Sequence, residues 1–364
     1  MTVPRPRRAV AGMQGYHSPQ VQARVRLNTN ESPEGPPEGL GAALAERLGR
    51  IDWNRYPSRS AADLRAGIAA LHGAAPENVF AANGSNEVIQ TLLLTYAGAG
   101  RRVGLFTPTY ALHSHIARVV GAEVVAAPRE GDFRVNPDAA ARFAAAERPD
   151  VLFLCSPNNP TGTVEAAETV QACLEAVAGY GGLVVCDEAY IQFSGLGPGS
   201  VSAVDLLGED APLAVCRTFS KAWALAAVRL GYVLAPARIT EELHKVVLPY
   251  HLDAVTQEIG LLCLADAAAA DRRAADIAAE RERLAERLAV LPVDQWPSGA
   301  NFILFRPTGR DGAAVWRELL DRSVLVRDCS SWEGLAGCLR VTVGTPKENS
   351  LFIEALTDVL RGAV

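Results

Sequence analysis

From residue 59 onward, the sequence alternates between amphipathic stretches and short apolar runs, and this alternation constrains the fold more than any other feature. Short apolar runs bounded by turn residues are typical of buried strands, whereas apolar residues spaced about 3.6 positions apart are typical of helices. The predicted strands are 78–82, 103–107, 122–127, 151–155, 183–187, 213–217 and 230–234. The predicted helices include 59–72, 85–97, 109–120 and 165–179. This order predicts an α/β fold with a mostly parallel sheet covered by helices.

The C-terminal part of the chain predicts a smaller unit and a connection to it. The Ala-rich stretch from about 254 to 290 has the composition and length of one long helix. Beyond it, strand-like and helical segments alternate in a compact α+β pattern, namely 301–306, 311–321, 324–327, 339–343 and 347–361. We therefore predict four parts: an N-terminal arm outside the cores that packs with the small domain (1–40), a large domain (41–255), a connecting helix (256–290) and a small domain (291–364).

Charge and cysteine usage narrow the class of partner. The formal net charge is -6, which disfavours a protein that binds nucleic acid through a basic face. No segment approaches the roughly 18 consecutive apolar residues of a membrane-spanning helix. The seven cysteines form no C-x-x-C pair, and His113 and His115 have no third ligand nearby in the sequence, so we expect reduced thiols and no metal site. These features predict a soluble, cytoplasmic protein that acts on small molecules, without nucleic-acid or membrane partners.

Two ionisable residues stand at the ends of predicted strands. Lys221 follows the apolar run 213–217 and the hydroxyl residues Thr218 and Ser220, and Asp187 ends the run 183–187. Each has a simple interpretation, since a lone lysine is usually a solvated surface residue and an aspartate can cap a helix. However, ligands of open α/β sheets bind at the carboxyl ends of strands, where a lysine can form a Schiff base with an aldehyde cofactor. A carboxylate at the same edge can keep the nitrogen of a pyridine ring protonated.

Two turns add polar groups to the same predicted edge. Asn159 lies in the turn 156–162 after one strand, and Gly84, Ser85 and Asn86 lie between another strand and a helix. Either could be an ordinary turn or cap. An asparagine amide can also bind a phenolate oxygen, and a helix that begins with glycine can bind phosphate through its backbone amides. Arg229, which follows Lys221 closely, could clamp the same phosphate.

In this order, the motifs resemble those of the fold-type I enzymes that use pyridoxal 5'-phosphate, and most closely the histidinol-phosphate aminotransferases. The resemblance covers nearly the whole chain, from Leu27-Asn28-Thr29-Asn30-Glu31 through Asn54-Arg55-Tyr56-Pro57 to the run 339–344. It implies a large domain with a mostly parallel sheet, a smaller α+β domain and pyridoxal 5'-phosphate as the cofactor. Trp223 and Ala227 depart from the pattern that follows the lysine in this family, so we expect local repacking there.

The resemblance also implies roles for individual residues. Lys221 is expected to form the Schiff base and carry protons, with Asp187 and Tyr190 as the other catalytic residues. The expected cofactor-binding residues are Gly84, Ser85, Asn86, Tyr110, Asn159, Asp187, Tyr190, Ser220, Lys221 and Arg229, together with Tyr56. Tyr56 is expected to contact the cofactor of a neighbouring subunit, which implies a homodimer with shared active sites. The expected substrate-binding residues are Asn30, Asn159, Arg327 and Arg340.

The implied reaction converts imidazole acetol phosphate and L-glutamate into L-histidinol phosphate and 2-oxoglutarate, as in histidine biosynthesis. An amino donor and a phosphorylated keto acceptor would therefore be the small-molecule partners. The same motifs also fit an aromatic or other amino-acid aminotransferase, or a decarboxylase of phosphorylated amino acids. A regulatory module that binds the cofactor without turnover is disfavoured, because Lys221, Asp187 and Arg340 are all present.

Overall fold

A computed structural model describes residues 3–15, 21–195 and 202–362. Within these residues the chain forms twelve strands, which are β1 (Val25–Leu27), β2 (Val79–Ala82), β3 (Arg102–Thr107), β4 (Glu123–Pro128), β5 (Val151–Cys155), β6 (Leu183–Asp187), β7 (Leu213–Thr218), β8 (Gly231–Leu234), β9 (Val293–Gln295), β10 (Phe302–Pro307), β11 (Val324–Asp328) and β12 (Leu339–Thr342). All seven strands predicted between residues 78 and 234 are present, with ends that differ by one residue at most.

The same residues form twelve α-helices, which are α1 (Arg8–Ala11), α2 (Leu40–Leu48), α3 (Ala62–Leu71), α4 (Gly84–Tyr96), α5 (Ala111–Val120), α6 (Pro137–Glu147), α7 (Ala167–Ala178), α8 (Ala237–Val246), α9 (Ala254–Leu264), α10 (Ala267–Ala289), α11 (Gly312–Asp321) and α12 (Pro346–Arg361). Four short 3₁₀ helices lie at Pro76–Asn78, Ile191–Phe193, Ala203–Leu206 and Ala226–Val228. Among the described residues, none of these helices combines the length and the apolar composition needed to cross a bilayer.

The larger sheet has the strand order β2-β8-β7-β6-β5-β3-β4. Neighbouring strands are parallel from β7 through β4, whereas β8 runs antiparallel to both β7 and β2. The predicted mostly parallel sheet is therefore confirmed. Separate hydrophobic cores pack against its two faces, one around α4, α5 and α8 and the other around α6 and α7. Such burial on both faces explains why β5 and β6 are continuous apolar runs.

The smaller sheet has the order β1-β11-β12-β10-β9 and packs against α10, α11 and α12. The predicted α+β unit is confirmed, but the expectation that residues 1–40 lie outside the cores is wrong for one segment. Strand β1 pairs in parallel with β11, and its Val25 and Leu27 are buried in the core of the small unit. The Pro- and Gly-rich flanks hide this strand in the sequence, because three residues give too short a pattern to identify it.

The stretch 254–290 is two helices instead of the single long helix that its composition predicts. Helix α9 ends at Leu264 and α10 begins at Ala267, after Asp266 adopts the non-helical angles φ -128 and ψ 56. Aspartate favours such a position before a helix over the interior of one. Helix α10 still connects the two units, because buried Arg281 donates to the carbonyls of Phe193 (2.8 Å) and Ala300 (3.0 Å).

Strand β8 and the first turn of α4 approach each other so closely that only glycine fits between them. A Cβ atom on Gly231 would lie 2.3 Å from the backbone nitrogen of Ser85 and 2.5 Å from the carbonyl carbon of Gly84. Both are backbone atoms, so they cannot move without shifting the start of α4. The missing side chain at Gly231 therefore fixes where the amide groups of this helix point.

We expect Gly231→Ala to lower the free energy of unfolding by about 2 kcal/mol, because the added methyl group overpacks rigid backbone. Gly208→Ala is the matched control, since a Cβ atom there meets nothing within 4 Å. Urea denaturation of the two variants and the parent measures the difference. Equal stabilities for Gly231→Ala and Gly208→Ala would contradict this account of the packing.

Candidate functional site

A cavity of about 320 Å³ lies between the carboxyl ends of the large-sheet strands and the small unit. Most of the site residues predicted from the sequence line it, namely Asn30, Ser85, Asn86, Tyr110, Asn159, Asp187, Tyr190, Ser220, Lys221, Arg229, Arg327 and Arg340. Gly84 begins the helix that forms one wall, while Tyr56 is not among the lining residues. Residues separated by more than 300 positions in the chain thus meet in one polar cavity.

One end of the cavity can hold a phosphate group. Helix α4 begins there, with Gly84 at φ +78, and its free amide groups and positive dipole end favour an anion. The guanidinium of Arg229 lies so close that a Cβ atom on Gly84 would be 2.6 Å from Nη2. Arg229 Nη1 also donates to the hydroxyl of Ser220 at 3.4 Å. Ser85 and Asn86 add polar groups. We call this set, the start of α4 with Ser85, Asn86, Ser220 and Arg229, the phosphate cradle.

A buried carboxylate lies at the base of the cavity. Asp187 ends β6, is 2% exposed and contacts the Nε2 atom of His113 through Oδ2 at 2.9 Å. His113 is fully buried and stacks on Phe153, with ring centroids 4.4 Å apart. Because the histidine holds one carboxylate oxygen in place, the carboxylate has a fixed orientation towards the cavity.

The sequence motifs do not identify His113 as a site residue, because its spacing from His115 suggests only a possible metal ligand. Among the described residues there is no cluster of His, Cys, Asp and Glu that could hold a metal. The sequence does contain a pattern that points to His113 as a site residue. His113 follows Tyr110 by one helical turn, on the helix that faces the strand ends. The two rings pack edge to face, with centroids 5.4 Å apart.

Lys221 projects into the cavity between the phosphate cradle and the small unit. Its ammonium donates to the backbone carbonyl oxygens of Asn30 (2.7 Å) and Thr29 (3.2 Å). Burial, together with the positive charges of Arg340 and Arg229, lowers the pKa of Lys221 to about 7, although Glu31 acts in the opposite direction. The amine is therefore available in its neutral, nucleophilic form near neutral pH.

A hydrogen-bond network surrounds the hydroxyl of Tyr190. This oxygen accepts hydrogen bonds from the side-chain amides of Asn30 (3.1 Å) and Asn159 (3.3 Å). Burial raises the pKa of Tyr190 to about 12, and the positive charge of Arg340 opposes the increase. The phenol is thus neutral at physiological pH and can donate its proton to an oxygen atom in the cavity.

Two arginines from neighbouring strands of the small sheet reach the cavity. Arg340 is buried and donates to Asn159 Oδ1 at 2.5 Å and to the carbonyl of Asn28 at 2.9 Å. Its Nε atom has no hydrogen-bond partner among the residues that the structure describes. Arg327 is directly opposite Arg340 in the antiparallel pair of β11 and β12. Two cations held side by side attract an anion, because a carboxylate or phosphate screens their mutual repulsion.

The segment 28–31 contributes more contacts than the motif reasoning assigned to it. Asn30 adopts the left-handed conformation at φ 55 and is held by Thr342, which accepts from its backbone nitrogen at 3.0 Å. Asn301 donates to the carbonyl of Asn30 at 3.1 Å. The segment therefore joins Lys221, Tyr190 and Arg340 through its own backbone and side-chain groups.

The residues that depart from the family pattern lie away from the cavity wall. Trp223 is 4% exposed and packs on Phe219 with ring centroids 4.6 Å apart. Neither Trp223 nor Ala227 lines the cavity, whereas Ala226 does. The larger ring is thus accommodated within the core.

Together these groups fit pyridoxal 5'-phosphate. The cradle at α4 suits a phosphate dianion, Asp187 suits a protonated ring nitrogen, and the low pKa of Lys221 suits bonding to an aldehyde. Asn159 and Tyr190 line the same cavity and offer hydrogen-bond donors that suit a ring oxygen. Within the described part of the chain, the Nε atom of Arg340 is unpaired, which leaves a donor for the carboxylate of an amino acid.

Comparisons with known proteins agree with this geometry. Residues 23–356 match the family model described as aminotransferase class I and II. The chain is 43% identical to a histidinol-phosphate aminotransferase of Frankia casuarinae, with 98% of this chain and 91% of the relative covered. It is 42% identical to the enzyme of the same name from Thermobifida fusca, with 95% and 92% covered. A crystal structure of histidinol-phosphate aminotransferase from Sinorhizobium meliloti with pyridoxal 5'-phosphate superposes with a TM-score of 0.89 at 23% identity, covering 100% of this chain and 99% of that one.

The lowered pKa of Lys221 predicts selective labelling by an aldehyde. The chain has two other lysines, Lys245 and Lys347, and both are exposed. In cofactor-free protein, reductive methylation of Lys221 should rise with pH through a midpoint near 7, because only the unprotonated amine reacts. Mass spectrometry of each peptide measures the labelling, with Lys245 and Lys347 as internal references. A pH profile of Lys221 that coincides with those of the two references would contradict the prediction.

Proposed function

The chain belongs to the class I and II aminotransferases, and from this premise we propose that it transfers the amino group of L-glutamate to imidazole acetol phosphate, giving L-histidinol phosphate and 2-oxoglutarate. The observation that carries the proposal is the pair of arginines, Arg327 and Arg340, which are opposite each other in the sheet and line the same cavity as Lys221. The names of relatives that are 42–43% identical over nearly the whole chain support the same substrate.

The residues that line the cavity indicate which groups would bind the cofactor. Its phosphate would be bound by the start of α4 with Ser85, Asn86, Ser220 and Arg229. When bound, pyridoxal 5'-phosphate supplies a ring that withdraws electrons from an amino acid attached to its aldehyde carbon. Asp187, oriented by His113, would hold the proton on the ring nitrogen through its carboxylate.

Lys221 also has the properties of a proton carrier. A general acid and base works best when its pKa is close to the operating pH, and the pKa of Lys221 is lowered to about 7. The amine nitrogen can therefore accept a proton from the substrate carbon and return it elsewhere. The neutral phenol of Tyr190, supported by Asn30, would donate a hydrogen bond to the ring oxygen.

The two arginines can serve two different substrates in turn. A guanidinium binds a carboxylate or a phosphate through paired donors, so Arg340 can bind the α-carboxylate of glutamate or the phosphate of histidinol phosphate. Arg327 would add a second cation for the phosphate dianion. The sequence motifs alone also fit an aromatic aminotransferase or a phospho-amino-acid decarboxylase, and these alternatives predict different products from the same cavity.

The cellular location in this proposal is the cytoplasm. Support comes from the seven cysteines, all of which are buried and free instead of paired in disulfides. Reduced thiols of this kind are typical of proteins from a reducing compartment.

We expect Arg327→Ala to raise the KM for histidinol phosphate by about 30-fold, because a charge-assisted hydrogen bond to phosphate is lost. The KM for L-glutamate should change by less than about threefold, whereas Arg340→Ala should damage the use of both substrates. Steady-state assays with each substrate, with product identification, measure the effects. If histidinol phosphate does not transfer its amino group to 2-oxoglutarate while an amino acid other than glutamate does, the histidinol-phosphate assignment fails.

We also propose a homodimer with shared active sites. Tyr56 is 80% exposed and stacks on Tyr250 with ring centroids 4.5 Å apart, and Trp53 and Leu248 of the same two segments are exposed as well. Exposed apolar and aromatic groups that cluster in this way are typical of interaction surfaces. Tyr56 would then reach the phosphate cradle of the neighbouring subunit.

Shared sites predict complementation between two damaged subunits. Tyr56→Ala should weaken cofactor binding about tenfold, and Lys221→Ala should abolish turnover. Co-expressed subunits that carry one change each should regain activity, because one of the two sites in a mixed dimer contains both native residues. Purification of the mixed species with two tags, followed by assay, tests this. No activity above that of the separate variants, or an active monomer in sedimentation, would refute the shared site.

A further inference from the structure

Trp332 lies beside Arg327 at the wall of the cavity. The guanidinium carbon of Arg327 lies 5.6 Å from the centroid of the Trp332 ring, within the range of a cation–π interaction. Both residues line the cavity, although Trp332 belongs to the connection between β11 and β12 and not to any motif identified in the sequence. The contact therefore couples a loop residue to one of the two cations that face the substrate.

The loop that carries Trp332 is held by its own hydrogen bonds. Trp332 donates from its backbone nitrogen to Cys329 at 2.9 Å, and Leu335 donates to the carbonyl of Trp332 at 3.0 Å. Cys329 also donates to Cys338 at 3.0 Å, which closes the base of the loop. A loop with this many internal bonds places the indole ring in a defined position.

Apolar packing also holds the indole ring of Trp332 in this position. Trp332 packs against a core cluster that contains Phe133, Leu304 and Leu335, together with a second tryptophan, Trp296. Trp296 makes its own cation–π contact, with Arg306 at 5.6 Å, but neither of these two residues lines the cavity. The described residues thus include two similar arginine–tryptophan pairs next to one cluster, and of these two pairs only Arg327 and Trp332 line the cavity.

We infer that Trp332 is a positioning residue that holds the Arg327 guanidinium for the phosphate group of the substrate. This inference rests on the proposed function, because it concerns the anion that Arg327 binds there. A long arginine side chain loses rotamer entropy when it is fixed in one conformation. Contact with the Trp332 ring fixes part of the Arg327 side chain before the substrate binds, so less of this entropy is lost on binding.

The experiment compares Trp332→Ala, Trp332→Phe and the control Trp296→Ala in cofactor-loaded enzyme. Trp332→Ala should raise the KM for histidinol phosphate about five- to tenfold, with a smaller change in kcat and less than a twofold change in the KM for glutamate. Trp332→Phe should restore most of the loss, because phenylalanine keeps an aromatic face. Trp296→Ala should leave the KM for histidinol phosphate at the parent value. Thermal unfolding midpoints identify any variant that is merely destabilised.

A double-mutant cycle with Arg327→Ala tests whether Trp332 acts through the arginine. In the Arg327→Ala background, Trp332→Ala should have no further effect on the KM for histidinol phosphate. A full additional loss would show that the ring contacts the substrate directly and would overturn the inference. Equal effects of Trp332→Ala and Trp296→Ala would also overturn it, since the cause would then be the shared apolar cluster.

Inorganic phosphate separates this inference from the proposed function. Phosphate should inhibit the reaction with glutamate competitively, and its inhibition constant should rise about fivefold in Trp332→Ala and remain unchanged in Trp296→Ala. This result would support the role of Trp332 even if histidinol phosphate were not a substrate. Absence of inhibition in the parent enzyme, or inhibition constants unaffected by Trp332→Ala, would overturn it.

Discussion

The meeting of parallel strand ends at one edge of the large sheet is the constraint on which the rest of the site depends. Strands β5, β6 and β7 end side by side at Cys155, Asp187 and Thr218, so the groups that follow each strand enter the same space. Helix α4 follows β2, which β8 separates from β7, and adds its amide groups to the same space. Gly231 of β8 permits the close approach of this helix. Apolar burial on both faces of the sheet stabilises this arrangement. The polar residues at the strand ends are not needed for that burial, so they are available to bind a ligand.

Charge balance within the cavity explains why these residues work as a set. Lys221, Arg229, Arg327 and Arg340 place positive charge around a cavity whose carboxylates are Asp187 and Glu31. Burial, and after it the charges of Arg340 and Arg229, lower the pKa of Lys221. The excess of positive charge favours anionic ligands at two separate places, the cradle at α4 and the arginine pair. Lys221 lines the same cavity as both places, so an anionic cofactor and an anionic substrate can bind on either side of one reactive amine.

Local patterns predicted the large sheet and the site residues at its strand ends and turns, because strand ends and turn residues have clear sequence patterns. The family resemblance alone predicted Asn30, Tyr110, Tyr190, Arg327 and Arg340, which also line the cavity. The break before α10 was missed because Asp266 stands in an Ala-rich stretch whose overall composition favours helix. Strand β1 and the left-handed Asn30 depend on distant partners, Val324–Val326 and Thr342, which no local pattern reveals. His113 was misjudged for a related reason, since its partner Asp187 lies on another element and the pairing exists only in the folded chain.

The most direct test of the account is a single-turnover reaction of cofactor-loaded enzyme with L-glutamate alone, followed by absorbance and by assay of 2-oxoglutarate. The account predicts that one equivalent of 2-oxoglutarate forms per subunit while the cofactor changes from its aldehyde to its amine form, and that histidinol phosphate causes the same spectral change. Lys221→Ala should show neither change. Release of carbon dioxide from L-glutamate, or a cofactor spectrum that glutamate and histidinol phosphate both leave unaltered, would contradict the assignment of this cavity to amino-group transfer.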